Sequence, residues 1–168
     1  MKMIVACCKN MGIGYKNKIP WHLPPDLKYF KKLTCQEKNS TIVMGKNTWE
    51  SLNTKPLPKR KNIILSKSLN QNDVSKYKNT FVFKNIPELT EYITEKKDPV
   101  WIIGGENIYA QFIHHPQLNE IYLTRILGNY KVDTHFPDIP KDFKVASNIS
   151  IETYKNILYT FSKYKKEI

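Results

Sequence analysis

The sequence predicts an α/β protein: a central, mostly parallel twisted sheet with antiparallel strands at its C-terminal edge and helices on both faces. Two observations predict it. Short apolar runs alternate with segments of helical period from Lys2 to Ile126, the pattern of a parallel sheet whose crossovers are helices. Two later strand-like runs, near 145 to 154 and 157 to 164, bracket Lys155-Asn156 as a hairpin would. The length of 168 residues favours one domain, 1–168. It is long enough to bury about 70 % of the unfolded chain's surface without disulfides or a metal.

The elements follow in order. KMIVACC, residues 2 to 8, reads as a short buried strand. Residues 9 to 20 read as a loop punctuated by Gly12, Gly14, Asn17 and Pro20. Residues 25 to 33 form an amphipathic helix, and Pro24 and Pro25 suit its start because the missing N–H is not needed there. STIVMG, 40 to 45, is a strand running into a helix at KNTWESL. Strands follow at 61 to 66 and 80 to 83, then the helix PELTEYITEK. VWIIGG, 100 to 105, is a strand ending on two glycines, with the helix ENIYAQFIHH behind it. EIYLTRI, 120 to 126, is the last strand before the hairpin.

Composition excludes several classes. The three cysteines, Cys7, Cys8 and Cys35, are odd in number and form no CxxC, which fits reduced thiols in the cytoplasm. No run approaches the roughly 20 apolar residues of a membrane span, and the apolar run at 3 to 8 is too short for a signal peptide. The net charge of +12 invites a nucleic-acid reading. But of the 27 basic residues only Arg60 and Arg125 are arginine, the type that grips base edges. The scattered lysines read as solvated surface.

In a parallel sheet, ligands sit beyond the carboxyl ends of the strands. Three such ends carry usable groups: Gly45 to Thr48, Ser66-Lys67, and Gly104-Gly105. Backbone N–H groups, hydroxyls and ammonium groups there suit a ligand with several phosphates. The Gly pair alone reads equally as a plain strand-to-helix turn. Arg60, after the stiff PLPK, could be a surface residue or a two-pronged grip on a carboxylate. Asp26 could be a helix-start carboxylate stabilised by the dipole. It also shares an apolar helix face with Phe30 and Leu33, with Lys28, Lys31 and Lys32 expected to point elsewhere. An acid so placed is costly unless a partner, such as a cationic or amidine-like ligand, meets it.

Six stretches, GIGYKNKIPWHLPPDLKYFK, IVMGKNTWESL, PLPKRKNIILS, VWIIGGENIYAQF, IYLTRI and DTHFP, occur in the order and at the spacing of the dihydrofolate reductase family. The chain resembles that family nearly end to end. The resemblance implies NADPH-dependent reduction of 7,8-dihydrofolate to 5,6,7,8-tetrahydrofolate, in support of one-carbon metabolism and thymidylate synthesis. It implies that antifolates such as methotrexate bind, that no metal is needed, and that the protein is a cytoplasmic monomer.

Residue by residue, Asp26 matches the family's active-site carboxylate, which binds the pterin amino group and ring nitrogen. Thr124 matches the residue that supports it, and Trp21 the tryptophan of the same pocket. Ile4, Val5, Leu27, Phe30, Leu52 and Leu57 match the substrate walls, and Arg60 the arginine that pairs with the substrate's α-carboxylate. Ala6, Ile13 and Gly14 match residues near the nicotinamide. Gly45, Lys46, Asn47 and Thr48 match a phosphate-binding helix start, and Leu65, Ser66 and Lys67 the adenosine side. Ile103, Gly104, Gly105, Glu106, Asn107, Ile108 and Tyr109 match the second cofactor-binding turn, whose Gly-Gly peptide is typically cis. Lys84 and Gln111 align nearby. The loop from Asn10 to Pro20 matches a mobile lid backed by Asp133 and DTHFP. Glu106 departs from the family's usual glycine or serine, and Asn107 from its usual cation. Two other readings compete: a reductase of another pterin or of a deaminated pyrimidine, disfavoured by the pairing of Asp26 with Arg60, and a basic nucleic-acid-binding module, which would not need Asp26.

Overall fold

The computed structural model describes residues 1–147 and 149–168. Its elements are β1 (Lys2–Cys7), β2 (Gly12–Gly14), α1 (Pro24–Cys35), β3 (Thr41–Gly45), α2 (Lys46–Ser51), β4 (Lys61–Leu65), β5 (Thr80–Phe83), α3 (Ile86–Lys96), β6 (Val100–Gly104), α4 (Glu106–Phe112), β7 (Glu120–Ile126), β8 (Thr134–His135), β9 (Phe143–Val145), β10 (Ile151–Tyr154) and β11 (Ile157–Lys166).

The main sheet runs β10-β11-β7-β1-β6-β3-β4-β5, with β9 also paired to β11. From β7 across to β5 every pairing is parallel. The antiparallel pairings all involve β11. This is the expected architecture. Alternation along each strand builds two cores. On one face Met3, Val5 and Cys7 of β1 pack with Leu89 and Ile93 of α3 and Ile108 and Phe112 of α4. On the other, Ile4, Ile42 and Met44 pack with Phe30 and Leu33 of α1 and Trp49 of α2. Helices therefore cover both faces. No helix among the described residues is long and apolar enough to cross a membrane.

Several boundaries differ from the sequence reading. The segment 9 to 20 is not all loop: β2 pairs with β8 as a two-stranded ribbon. Strands of two or three residues offer no periodicity to read. α4 stops at Phe112 rather than continuing to His115. Pro116 disfavours helical backbone at the residue before it, and His115 N closes a tighter turn on Phe112 O at 2.9 Å. The run expected over 145 to 154 is two strands, β9 and β10, and Asn148 between them lies outside the described residues. The hairpin turns at Lys155 and Asn156 as expected, with φ of 42° and 66°; this left-handed pair suits a two-residue hairpin.

Candidate active site

A cleft of about 1940 Å3 opens at the carboxyl ends of β1, β3, β4 and β6. Ordinary single-ligand pockets occupy about 300–1,000 Å3, so there is room for two extended molecules. At one end it is walled by Ile4, Val5, Trp21, Asp26, Leu27, Phe30, Leu52, Leu57 and Arg60. Its other end takes in Ala6, Ile13 and Gly14 from the first strand and loop, Gly45 to Thr48, Leu65 to Lys67, and Ile103 with Gly105 to Tyr109. Lys84 and Gln111 line it too. Of the expected site residues, Thr124 and Gly104 stand behind the wall instead of in it.

Asp26 sits in the first turn of α1, where Pro24 and Pro25 free the backbone of donors it could not use. Thr124, buried on β7, donates its hydroxyl to Asp26 Oδ1 at 2.6 Å. Among the described residues no cation forms an ion pair with this carboxylate. Burial raises its pKa above the ordinary aspartate value, and the Thr124 hydrogen bond pulls the other way. Trp21 closes the same end, held edge-on to Tyr130 with ring centres 5.3 Å apart. Lys28 and Lys32 stay out of the cleft as expected, but Lys31 lines it. The cleft borders a second stripe of α1, because Leu27 and Lys31 are one turn apart and share it.

Arg60 is 4 % exposed. Its Nε donates to Pro58 O at 2.9 Å and its Nη1 to Thr34 Oγ1 at 2.9 Å. Thr34 Oγ1 in turn donates to Phe30 O at 2.8 Å. No carboxylate pairs with Arg60 among the described residues, and burial pushes the guanidinium's pKa down. The loop that presents it is clamped by Asn62, which the sequence reading missed. Asn62 Oδ1 accepts from Leu57 N at 3.0 Å, and Nδ2 donates to Leu57 O at 2.9 Å and Arg60 O at 3.0 Å. The available signal was an amide side chain at the start of the apolar run KNIIL.

At the other end, close approach requires glycine at position 45. A Cβ on Gly45 would meet Ile108 Cγ1 at 2.9 Å, and one on Gly105 would meet Thr48 Oγ1 at 3.4 Å. The two strand ends thus meet as a narrow cradle. Gly104 holds φ at +117°, and the Gly104–Gly105 peptide is cis. The Tyr109 hydroxyl lies between Ile4 O, 2.7 Å away, and Ile103 O, 2.9 Å away. It ties β1 to β6 under the cradle, a structural role that the sequence reading did not separate from cofactor contact. Burial raises the Tyr109 pKa, so the phenol stays a donor. Lys84 Nζ donates to Lys67 O at 3.3 Å, to Asn70 Oδ1 at 2.9 Å and to Leu69 O, fastening the loop after β4.

Residues 1–166 match the sequence signature of the family described as dihydrofolate reductase. The chain is 34 % identical to the dihydrofolate reductase of Heliothis virescens, over 99 % of this chain and 97 % of that one. It is 34 % identical to that of Gallus gallus, over 100 % and 97 %. With the dihydrofolate reductase of Buchnera aphidicola it shares 40 % identity over 82 % of this chain and 79 % of that one.

Proposed function

The chain belongs to the dihydrofolate reductase family, and from that premise we propose which of its residues perform the reaction. The protein is an oxidoreductase that reduces 7,8-dihydrofolate to 5,6,7,8-tetrahydrofolate with NADPH. The observation that carries the assignment is the carboxylate of Asp26, turned into the cleft with the Thr124 hydroxyl as its one side-chain partner among the described residues.

Asp26 takes the pterin's amino group and neighbouring ring N–H, a two-donor edge that matches two carboxylate oxygens. Burial supports its acid role: a carboxyl whose pKa is raised holds and releases a proton closer to working pH. Thr124 fixes which way the carboxylate faces. Trp21 and the apolar walls exclude water around the ring. Arg60 waits at the far end with unspent donors and, among the described residues, no carboxylate of its own, as a grip on the substrate's α-carboxylate requires.

The cradle of Gly45, Gly105 and Thr48 fits NADPH, because backbone can approach phosphates there without a Cβ in the way. Gly45 to Thr48 and Gly105 to Tyr109 would hold its phosphates, Leu65 to Lys67 its adenosine side, and Ala6, Ile13 and Gly14 its nicotinamide. When bound, NADPH supplies the hydride. The chain's part is to orient the two ligands and to keep Asp26 near the pterin. A single chain supplies every one of these groups, so a monomer would carry a complete site, and the buried thiols of Cys7 and Cys8 support a reducing, cytoplasmic setting. The test is loss of reduced-nicotinamide absorbance on mixing protein, NADPH and dihydrofolate. Loss abolished by methotrexate is expected; folded protein that consumes no NADPH would overturn the reading.

A further inference from the structure

Glu106 opens α4 on the cofactor side of the cleft, but its carboxylate reaches out of its own helix. Oε1 accepts the backbone N–H of His135 at 2.9 Å, across 29 residues of chain. His135 lies in β8, which pairs with β2, Gly12 opposite His135 and Gly14 opposite Thr134. Phe136 N donates toward the loop, to Met11 O at 2.8 Å. The His135 N–H instead leaves the ribbon toward Glu106, on the edge where among the described residues β8 pairs with no further strand.

The same short segment grips the loop tightly. Asp133 N donates to Gly14 O at 2.9 Å, and Lys16 N donates to Asp133 Oδ2 at 3.0 Å. Gly14 lies so close that a Cβ there would stand 2.7 Å from Thr134 Oγ1. Residues 133–136 are thus fastened to the loop on one side and to α4, through Glu106, on the other.

We propose that Glu106 is a positioning residue: by tying β8 to the start of α4, it holds Ile13 and Gly14 in the cofactor wall of the cleft. The proposal rests on reading that cleft as the NADPH site. What the tie needs is an acceptor oxygen at this reach, not a charge. A glutamine supplies that oxygen; an alanine does not. Were the carboxylate there only to favour the helix dipole, a glutamine would fail as an alanine does. His135 is exposed, so its freed N–H would bond water. The loss therefore shows as freedom of the segment and not as an unsatisfied donor.

The test compares wild type, Glu106→Gln and Glu106→Ala. Backbone hydrogen exchange at residues 12–16 and 133–136 is read without ligand, and KM for NADPH and for dihydrofolate is read beside it. In Glu106→Ala, exchange at both segments and KM for NADPH should each rise about three- to tenfold, the equilibrium equivalent of one hydrogen bond. KM for dihydrofolate should move less than about twofold. Glu106→Gln should restore most of the exchange protection and most of the NADPH affinity. Equal effects in the two variants would show that charge matters and would overturn the proposal. So would unchanged exchange in Glu106→Ala. A wild-type protein inert toward dihydrofolate would overturn the functional reading instead, and the exchange contrast would still decide the tie.

Discussion

Thr124 and Asp26 stand 98 positions apart in the chain, yet the threonine hydroxyl donates to the aspartate oxygen at 2.6 Å. Thr124 comes from β7, next to the sheet's central strand β1, and Asp26 from the helix that covers that face. The hydroxyl bonds the charged form of the acid, while burial opposes that form. The balance of these two effects sets when Asp26 carries a proton, and three predictions turn on it; two more concern Arg60 and the glycine cradle.

Asp26→Asn keeps an oxygen that can accept from Thr124 but removes the ionisable proton. Turnover at pH 7 should fall by about 10²-fold or more, the usual contribution of a placed acid or base. The deficit should shrink at acid pH, where solution protonates substrate beforehand, and NADPH affinity should hold. A pH–rate profile with an NADPH titration checks this; an unchanged rate at pH 7 would remove Asp26 from the chemistry.

The same variant makes a stability prediction. The folded-state pKa of Asp26 is raised, so above the ordinary aspartate range the folded protein binds more protons than the unfolded chain does. Its contribution therefore falls as pH rises through that window, so at pH 7 the wild type is penalised for burying the charge. Asp26→Asn should melt at a higher temperature than wild type at pH 7. The gap should close as pH drops below the ordinary aspartate pKa. Melts at a series of pH values would show it; a gap that widens toward acid pH contradicts the sign.

Thr124→Val preserves shape and deletes the hydroxyl. Without the bond that favours its charged form, Asp26 should hold its proton to still higher pH. The ionisation governing the rate should move up, and kcat at pH 7 should drop by about tenfold, the scale of one hydrogen bond to a charged group. If the profile keeps its midpoint while the rate falls, Thr124 acts only through packing.

Arg60→Lys should separate binding from chemistry. An ammonium lacks the fork that grips a carboxylate with two parallel bonds. KM for dihydrofolate should rise about 10- to 100-fold, with kcat and KM for NADPH little changed. Steady-state kinetics with each ligand varied in turn decides it. A fall in kcat at constant KM would place Arg60's role elsewhere.

Gly104→Ala tests the cradle. At φ +117° an alanine is strained, and its Cβ would sit 3.1 Å from the Tyr109 ring. Destabilisation of about 1–3 kcal/mol is expected, with weaker NADPH binding because Tyr109 must shift away from Ile4 O and Ile103 O. Thermal melts and an NADPH titration measure both; a neutral substitution would mean that the strand end relaxes freely.

The sequence by itself determined the layers and the addresses. Apolar runs at strand length, spaced by helical segments, specify a parallel sheet, and that rule alone puts Gly45, Ser66 and Gly105 at strand ends that line the cleft. Asp26 and Arg60 stood out for a local reason: an acid on an apolar helix face and an arginine among lysines are each conspicuous within a few residues. The hydroxyl partner of Asp26, the Tyr109 bridge between β1 and β6, the Asn62 clamp and the reach of Glu106 to His135 were decided only by the tertiary structure. Each depends on which segments the crossovers bring side by side, and local periodicity carries no record of that. The ribbon of β2 and β8 belongs with them, since two or three residues have no pattern of their own and become strands only when the fold sets them against each other.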